Sequence, residues 1–258
     1  MFSTVWLAVI FTLAGAAVGS FLNVCIHRIP EGLSIVSPPS RCPRCGRSIR
    51  FYDNIPILSY LFLGGRCRDC RERISPRYPL VEALTALVAW LLFSKFGLTP
   101  AYFATFVFCC SLIVITFIDL DHQLIPHAIT LSGIPVFSFM AVFFRGLPFV
   151  DSFLGIMIGA GTLYFVAVYY ETLTKREGMG GGDVNLFAML GAFLGWKALL
   201  FVLLASSLLG AAVGLAVMAS KGKDMKYAIP FGPFLCSAAF LHLFFGTYLT
   251  GLLLSLRT

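Results

Sequence analysis

Long apolar runs dominate this chain and restrict it to few kinds of fold. Seven runs are long enough to cross about 30 Å of hydrocarbon; they lie near residues 4–26, 79–96, 100–118, 128–145, 149–170, 197–219 and 230–255. A shorter run at 184–195 is counted as an eighth span, because omitting it would reverse the orientation of everything that follows, against the distribution of charge. Of the 258 residues 59% are apolar and 12% charged, and the mean hydropathy is +0.89, values that exclude a soluble globular domain. We therefore predict an all-α polytopic membrane protein with about eight transmembrane helices, the first of which should remain in the mature protein.

Basic residues are distributed unevenly among the loops that join these runs. Ten arginines lie in residues 27–78. With that segment in the cytoplasm, fifteen of the nineteen basic residues fall on the cytoplasmic side, as the positive-inside rule expects. The formal net charge of +7 is then explained by topology and by contact with anionic membrane lipids. No nucleic-acid partner is inferred, because the arginines flank spans and follow no nucleic-acid-binding pattern.

Two pairs of cysteines stand in the one sizeable polar segment of the chain. Cys42 and Cys45 form one CxxC knuckle, and Cys67 and Cys70 form another after an interval of 21 residues. Four thiolates complete a closed tetrahedral zinc site with no open position for chemistry. Two disulfides are the competing interpretation, but a reducing cytoplasm favours a structural zinc, which would also supply folding free energy to a segment too small to form its own core. The predicted domains are transmembrane helix 1 (1–26), a cytoplasmic zinc-binding domain (27–78) and a seven-helix membrane domain (79–258).

A pair of aspartates marks the most promising chemical site. Asp119 follows the apolar run that ends at Ile118, and Asp183 closes a glycine-rich turn directly before another apolar run. Carboxylates at membrane depth are costly and are functional candidates by default. Two that meet across a bundle would form an acid/base dyad, with one group protonated and the other ionised. Asp121 is the alternative to Asp119.

The turn before Asp183 contains four glycines, at Gly178, Gly180, Gly181 and Gly182. Glycines permit close approach of another backbone, which a protease needs when it holds an extended substrate. A flexible interhelical loop is the simpler explanation, and a transporter would use intramembrane carboxylates as proton or cation sites. A noncatalytic membrane assembly factor is a third possibility. On physical grounds alone, peptidase and transporter remain equally open.

Several further motifs resemble those of a known protein family. The chain resembles the type IV prepilin peptidases, which are bifunctional leader peptidases and N-methyltransferases, over nearly its whole length. The motifs that carry the resemblance, besides the two aspartate turns and the cysteine pairs, are Gly19-Ser20-Phe21-Leu22-Asn23-Val24 with Arg28, Asn54-Ile55-Pro56-Ile57-Leu58-Ser59-Tyr60, Arg77-Tyr78-Pro79-Leu80-Val81-Glu82, and Pro230-Phe231-Gly232-Pro233-Phe234.

The resemblance implies a function and its participants. It implies an intramembrane aspartyl endopeptidase of the bacterial inner membrane, with Asp119 and Asp183 as the catalytic pair, facing the cytoplasm. Its substrates would be type IV prepilins or pseudopilins, cleaved after a glycine and then N-methylated from S-adenosylmethionine. The cysteines map onto the family's zinc ligands, and we expect the zinc-bearing segment to contribute to methyl transfer. One departure is Asn185, which stands where the family commonly has lysine. We expect the absence of the lysine to shift the pH optimum.

Two smaller expectations complete the sequence-based predictions. Glu82, near the start of the second span, is expected to pair with an arginine near the headgroups such as Arg77. Cysteines inside the spans are expected to be buried apolar thiols. We find no internal repeat in the sequence.

Overall fold

The computed structural model contains helices and no β-strand within the residues that it describes, which are 2–175, 180–221 and 230–255. Side chains are described for 5–175, 180–220 and 230–246. The α-helices are α1 (Phe2–Arg28), α2 (Leu58–Phe62), α3 (Arg77–Phe96), α4 (Pro100–His122), α5 (His127–Arg145), α6 (Phe149–Thr174), α7 (Gly181–Leu194), α8 (Trp196–Lys221) and α9 (Gly232–Ser255). The all-α prediction is confirmed.

Six of the described helices are long and apolar enough to cross a membrane, namely α1, α3, α4, α5, α6 and α8. The other two predicted spans also form helices. Helix α7 has 14 residues, about 21 Å of length, which is less than the hydrocarbon thickness. Helix α9 has 24 residues, although its side chains are described only as far as residue 246.

The chain divides into two compact units, Met1–Val114 and Ile115–Thr258. This division falls inside α4, whereas the predicted domains were separated at residues 26 and 78; those domains stay a prediction.

In the first unit, α1 and α3 pack through a small-residue face. A Cβ added to Gly15 would lie 2.5 Å from Ala89 Cβ, and one added to Gly19 would lie 2.7 Å from Glu82 Cα. Spacing of four residues places both glycines on one helix face, which is how small residues let membrane helices approach closely. The Asn23 side chain adds a hydrogen bond of 3.1 Å to the Tyr78 carbonyl.

In the second unit, α7 is the central helix. All its residues from Leu186 to Leu194 are buried, and α5, α6, α8 and α9 all pack against it. Gly155 of α6 and Gly191 of α7 meet so closely that a Cβ on either would overlap the other's carbonyl group. The far end of α7 is held by side chains, since the Ser152 hydroxyl donates to the Ala192 carbonyl at 2.7 Å. The position of Asp183, at the opposite end of α7, is therefore set by a rigid support.

The polar segment between α1 and α3 is built from two related turns. The Cys42 N–H donates to the Arg47 carbonyl at 2.9 Å, and the Cys67 N–H donates to the Glu72 carbonyl at 2.8 Å. Each turn is flanked by an isolated antiparallel bridge, Arg41 with Ser48 and Arg66 with Arg73. The two knuckles thus form an internal repeat offset by 25 positions, so the expectation of no repeat was wrong. Besides the cysteines, the copies share an arginine before the first cysteine (Arg41 and Arg66) and a later isoleucine (Ile49 and Ile74), and the rest of the likeness lies in the backbone.

Candidate active site

The two predicted catalytic aspartates are brought together by three helices of the second unit. Asp119 lies one turn before the end of α4 and is 4% exposed. Asp183 lies in the first turn of α7. They are close enough for their charges to interact, and both also interact electrostatically with the buried Cys236 thiol of α9. Each carboxylate has one buried oxygen, Oδ2 of Asp119 and Oδ1 of Asp183, that lacks a hydrogen-bond partner among the described residues. Buried polar atoms are rarely left unpaired, and where they occur a reactive site is one explanation.

Gly232, the first residue of α9, completes the surroundings of Asp119. Its backbone N–H donates a hydrogen bond to the Asp119 carboxylate. A Cβ at Gly232 would lie 2.5 Å from Asp119 Oδ2 and 3.1 Å from Ile125 Cδ1. The contact therefore requires glycine. The sequence-based prediction included Gly232 only as part of a family motif. The signal that could have identified it is a glycine between prolines at the start of a span.

The glycines of the turn before Asp183 have different surroundings. A Cβ at Gly182 would lie 2.8 Å from Ile125 Cβ, so this glycine lets α7 begin against the turn that follows α4. Gly181 has open space around it, and the nearest atom to a Cβ at Gly180 is 3.9 Å away. Gly178 lies outside the described residues. Space for a substrate backbone beside Gly180 and Gly181 stays a prediction.

Asp121 and Asn185 occupy the edges of this arrangement. Asp121 is exposed, whereas Asp119 is buried, because residues two apart on a helix point in different directions. The Asn185 amide lies 3.1 Å from His127 Nδ1 and so connects the first turns of α7 and α5. The predicted effect of Asn185 on the pH optimum stays a prediction.

The four predicted zinc ligands form one cluster. The Sγ atoms of Cys42, Cys45, Cys67 and Cys70 all lie within 4.8 Å of one another, and those of Cys42 and Cys70 are 3.8 Å apart. Tetrahedral zinc with sulfur ligands at about 2.3 Å requires sulfur atoms about 3.8 Å apart. The donor set therefore fits zinc.

The electrostatics of the cluster also call for a cation. The backbone N–H of Cys45, helped by that of Arg44, lowers the pKa of the Cys42 thiol to about 7 against the opposing effect of burial. At Cys70 the backbone N–H of Glu72 acts to lower the pKa, but desolvation and the neighbouring thiols outweigh it and raise that pKa to about 12. Four adjacent thiols cannot all ionise unless a metal ion shares their charge.

Charged side chains tie the two knuckles to each other. Arg47 donates to Asp69 at 2.9 Å across the cluster. Arg68 binds both oxygens of Asp53, with a shortest distance of 2.6 Å, and this hydrogen bonding lowers the pKa of Asp53. The cluster is thus supported by ion pairs in addition to its thiols.

Two other expectations about polar and sulfur groups can be compared with the structure. Glu82 does not pair with Arg77; its carboxylate accepts a hydrogen bond of 2.7 Å from the Ile57 backbone N–H. That prediction was wrong, because the polar segment folds back over the start of α3 and supplies a backbone donor that sequence order does not reveal. The cysteines within the spans are buried as predicted; they are Cys25, Cys109, Cys110 and Cys236.

These features define a helical membrane protein with a buried aspartate pair and a separate four-cysteine cluster. The family model for the bacterial Peptidase A24 N-terminal domain matches residues 13–96, and the model for the type IV leader peptidase family matches residues 106–215. The chain belongs to the type IV leader peptidase family, which is a family of proteases, and it is a multi-pass membrane protein.

Curated relatives extend this match over most of the chain. A prepilin leader peptidase/N-methyltransferase of Pseudomonas putida is 37% identical over 91% of this chain and 89% of its own length. Its counterpart in Aeromonas salmonicida (strain A449) is 40% identical over 90% of this chain and 89% of its own length. One of Myxococcus xanthus (strain DK1622) is 43% identical over 84% of this chain and 64% of its own length. No solved structure matches the chain significantly. The transporter alternative finds no support in these matches.

Proposed function

We propose that this protein is an intramembrane aspartyl endopeptidase that removes the leader peptide from type IV prepilins or pseudopilins. The observation that carries the proposal is the pair Asp119 and Asp183, two interacting carboxylates that each keep a buried oxygen without a hydrogen-bond partner in the described part of the chain. Burying two like charges is unfavourable for stability alone, and a shared water with a substrate carbonyl would satisfy both oxygens.

The two carboxylates would divide the acid and base roles between them. One of them, ionised, takes a proton from the attacking water, and the other donates a proton to the carbonyl oxygen as the tetrahedral intermediate forms. Since the pair is coupled, its protons are shared and its titration belongs to both groups.

The orientation of the site follows from charge. The ten arginines of residues 27–78 favour the cytoplasmic face of the bacterial inner membrane. A prepilin anchored by its own apolar helix, with its basic leader in the cytoplasm, would then bring its cleavage site to the level at which α4 ends and α7 begins. Such a substrate needs no diffusion through the aqueous phase to reach the aspartates.

Mutation of each aspartate tests the peptidase directly. A purified type IV prepilin is incubated in detergent with wild type, Asp119→Asn, Asp183→Asn and Asp121→Asn, and the product is analysed by mass spectrometry. We expect the first two variants to lose cleavage while accumulating normally in the membrane, and Asp121→Asn to retain it, since that side chain is exposed. Cleavage by Asp119→Asn or Asp183→Asn at the wild-type rate would refute the dyad.

We further propose that the four-cysteine cluster holds a structural zinc and that the protein N-methylates the new amino terminus. The zinc proposal rests on the sulfur distances given above. The methylation proposal rests on relatives named as N-methyltransferases, with S-adenosylmethionine as the methyl donor. A product that gains one methyl mass only when this donor is present would support it, and a cleaved product that never gains this mass would contradict it.

A further inference from the structure

Glu82 is a buried carboxylate that the proposed peptidase does not use. It lies in the second turn of α3 and is 8% exposed. Its carboxylate accepts a hydrogen bond of 2.7 Å from the Ile57 N–H and another from the Ser20 hydroxyl. Both donors are neutral, so they solvate the carboxylate without balancing its charge.

The other acidic residues of the first unit all have a basic partner. Three of them form ion pairs with arginines, namely Arg68 with Asp53 at 2.6 Å, Arg47 with Asp69 at 2.9 Å and Arg44 with Glu72 at 3.8 Å. The fourth, Glu31, lies 3.9 Å from the imidazole of His27. Within the described residues, Glu82 forms no ion pair with an arginine, lysine or histidine. This unit is rich in arginine, so a shortage of cations does not explain the difference.

A buried charge without a counter-ion is expensive. An unpaired buried carboxylate costs several kcal/mol, on the order of the whole stability of a small domain. An intramembrane ionisable residue therefore indicates function and requires a partner. Glu82 has no such partner among the described residues, so a cation that arrives with a ligand would supply one.

The position of Glu82 restricts the kind of cation that can reach it. The hydrogen bond from Ile57 places it where the polar four-cysteine segment meets the membrane helices, because α3 begins only five residues earlier, at Arg77. Asn23 of α1 is also 8% exposed. It lies three residues after Ser20, which contacts Glu82, and residues three apart share a helix face. The surroundings are therefore polar, at the edge of the hydrocarbon, and in contact with the segment that carries the cysteine cluster.

We propose that Glu82 binds the primary amine at the new amino terminus of a cleaved pilin and accepts its proton before methyl transfer. This inference rests on the proposed function. A pilin whose apolar helix lies in the membrane presents its new amino terminus at the end of that helix, and therefore at the depth of Glu82.

The chemistry requires a proton acceptor at this place. An ammonium group has no free electron pair, so one proton must pass from the amine to the Glu82 carboxylate before the nitrogen can attack. The nitrogen then forms a bond to the methyl carbon of a sulfonium donor as the carbon–sulfur bond breaks and its electron pair returns to sulfur. The product is a secondary ammonium with a neutral thioether, and Glu82 releases its proton to water.

The donor's own sulfonium is a second cation that could face Glu82. It carries no proton to be removed, so it would use the charge of Glu82 but not its basicity. The two possibilities are separated by an acceptor whose amine has been acetylated, which removes the amine and leaves the donor unchanged.

The test uses full-length protein in detergent and a cleaved, unmethylated pilin prepared with wild-type enzyme in the absence of donor. Glu82→Gln keeps an oxygen that accepts the Ile57 N–H but loses the charge and the basicity. Glu31→Gln is the matched control, because Glu31 is an exposed carboxylate that lies shortly after the end of α1. The measurements are methyl incorporation with S-adenosylmethionine, binding of free and N-acetylated pilin, binding of the donor, prepilin cleavage and zinc content.

We expect Glu82→Gln to lose methyl transfer by at least about 100-fold, the usual contribution of a positioned base, while cleavage, zinc content and donor binding persist. Wild type and Glu31→Gln should bind free pilin more tightly than acetylated pilin, and Glu82→Gln should not distinguish them. Methyl transfer by Glu82→Gln at the wild-type rate, or a loss of donor binding instead of amine discrimination, would overturn the proposal.

The outcomes also separate this inference from the proposed function. If wild type methylates no pilin at all, the N-methyltransferase assignment fails. If wild type methylates and Glu82→Gln does too, only the role of Glu82 fails. Should Glu82→Gln not accumulate in the membrane, wild-type protein that binds free and acetylated pilin equally is sufficient to reject the amine site.

Discussion

Replacing Gly232 by alanine should impair catalysis through Asp119 without touching the substrate. The added Cβ would lie 2.5 Å from Asp119 Oδ2, about 1 Å inside van der Waals contact. Either the carboxylate or the start of α9 must shift, and the hydrogen bond from the Gly232 N–H is lost or weakened. A hydrogen bond to a charged group contributes about 1.5–3 kcal/mol, so kcat should fall by about 10- to 150-fold.

The pH dependence of kcat distinguishes this effect from simple misfolding. The Gly232 contact acts on one member of a coupled pair, so its loss should change the acid limb of the profile, whereas misfolding lowers activity at every pH alike. The other titratable groups that face Asp119 are Asp183 and Cys236, and neither is altered by the substitution.

The assay is prepilin cleavage in detergent between pH 4 and 9, about the range over which carboxylates and their neighbours titrate. KM should change little. Gly161→Ala serves as the matched control, because a Cβ there meets nothing within 4 Å. If Gly232→Ala keeps the wild-type kcat and an unmoved acid limb, the α9 contact does not act on the dyad. A uniform loss of kcat at every pH would indicate a structural role only.

Other substitutions test the support of the site and the cysteine cluster. Gly191→Ala should lower the thermal stability of the purified protein, by about 3 kcal/mol or more, because its Cβ would overlap the Gly155 carbonyl; a melting temperature equal to that of wild type would contradict the close α6–α7 contact. Arg71 has φ +60° where the first knuckle has Gly46 at φ +70°, so Arg71→Gly should stabilise the zinc-bound segment by about 1 kcal/mol, measured as resistance to a competing chelator. Gly46→Ala should weaken it by a similar amount, and opposite signs would refute the argument from backbone conformation. Cys70→Ser should reduce bound zinc from one ion per chain, measured by native mass spectrometry, and undiminished zinc would exclude this thiol as a ligand.

The spans and the cysteine cluster could be predicted because each depends on short-range pattern. A run of apolar residues long enough for the hydrocarbon must become a helix, since its backbone groups find no other partners there. Two CxxC knuckles likewise carry their own local geometry, so Cys42 and Cys67 could be grouped without knowing the path of the chain between them.

Contacts made between distant segments were not accessible in this way. Arg77 is near Glu82 in sequence and has the right charge, yet the structure supplies Ile57, whose N–H reaches the carboxylate from 25 positions away. The partner was missed because a backbone donor has no identity in the sequence; every residue except proline carries one.

The sequence by itself therefore determined which residues are too polar for their surroundings: two aspartates beside apolar runs, one glutamate inside a span, and four cysteines in knuckles. Only the tertiary structure decided what each of them meets. Gly232 is one of 24 glycines in the chain; the prolines around it mark the start of a span, but they do not show that it contacts Asp119. Its role arises because α9 begins where α4 ends, and such a meeting depends on the packing of whole helices.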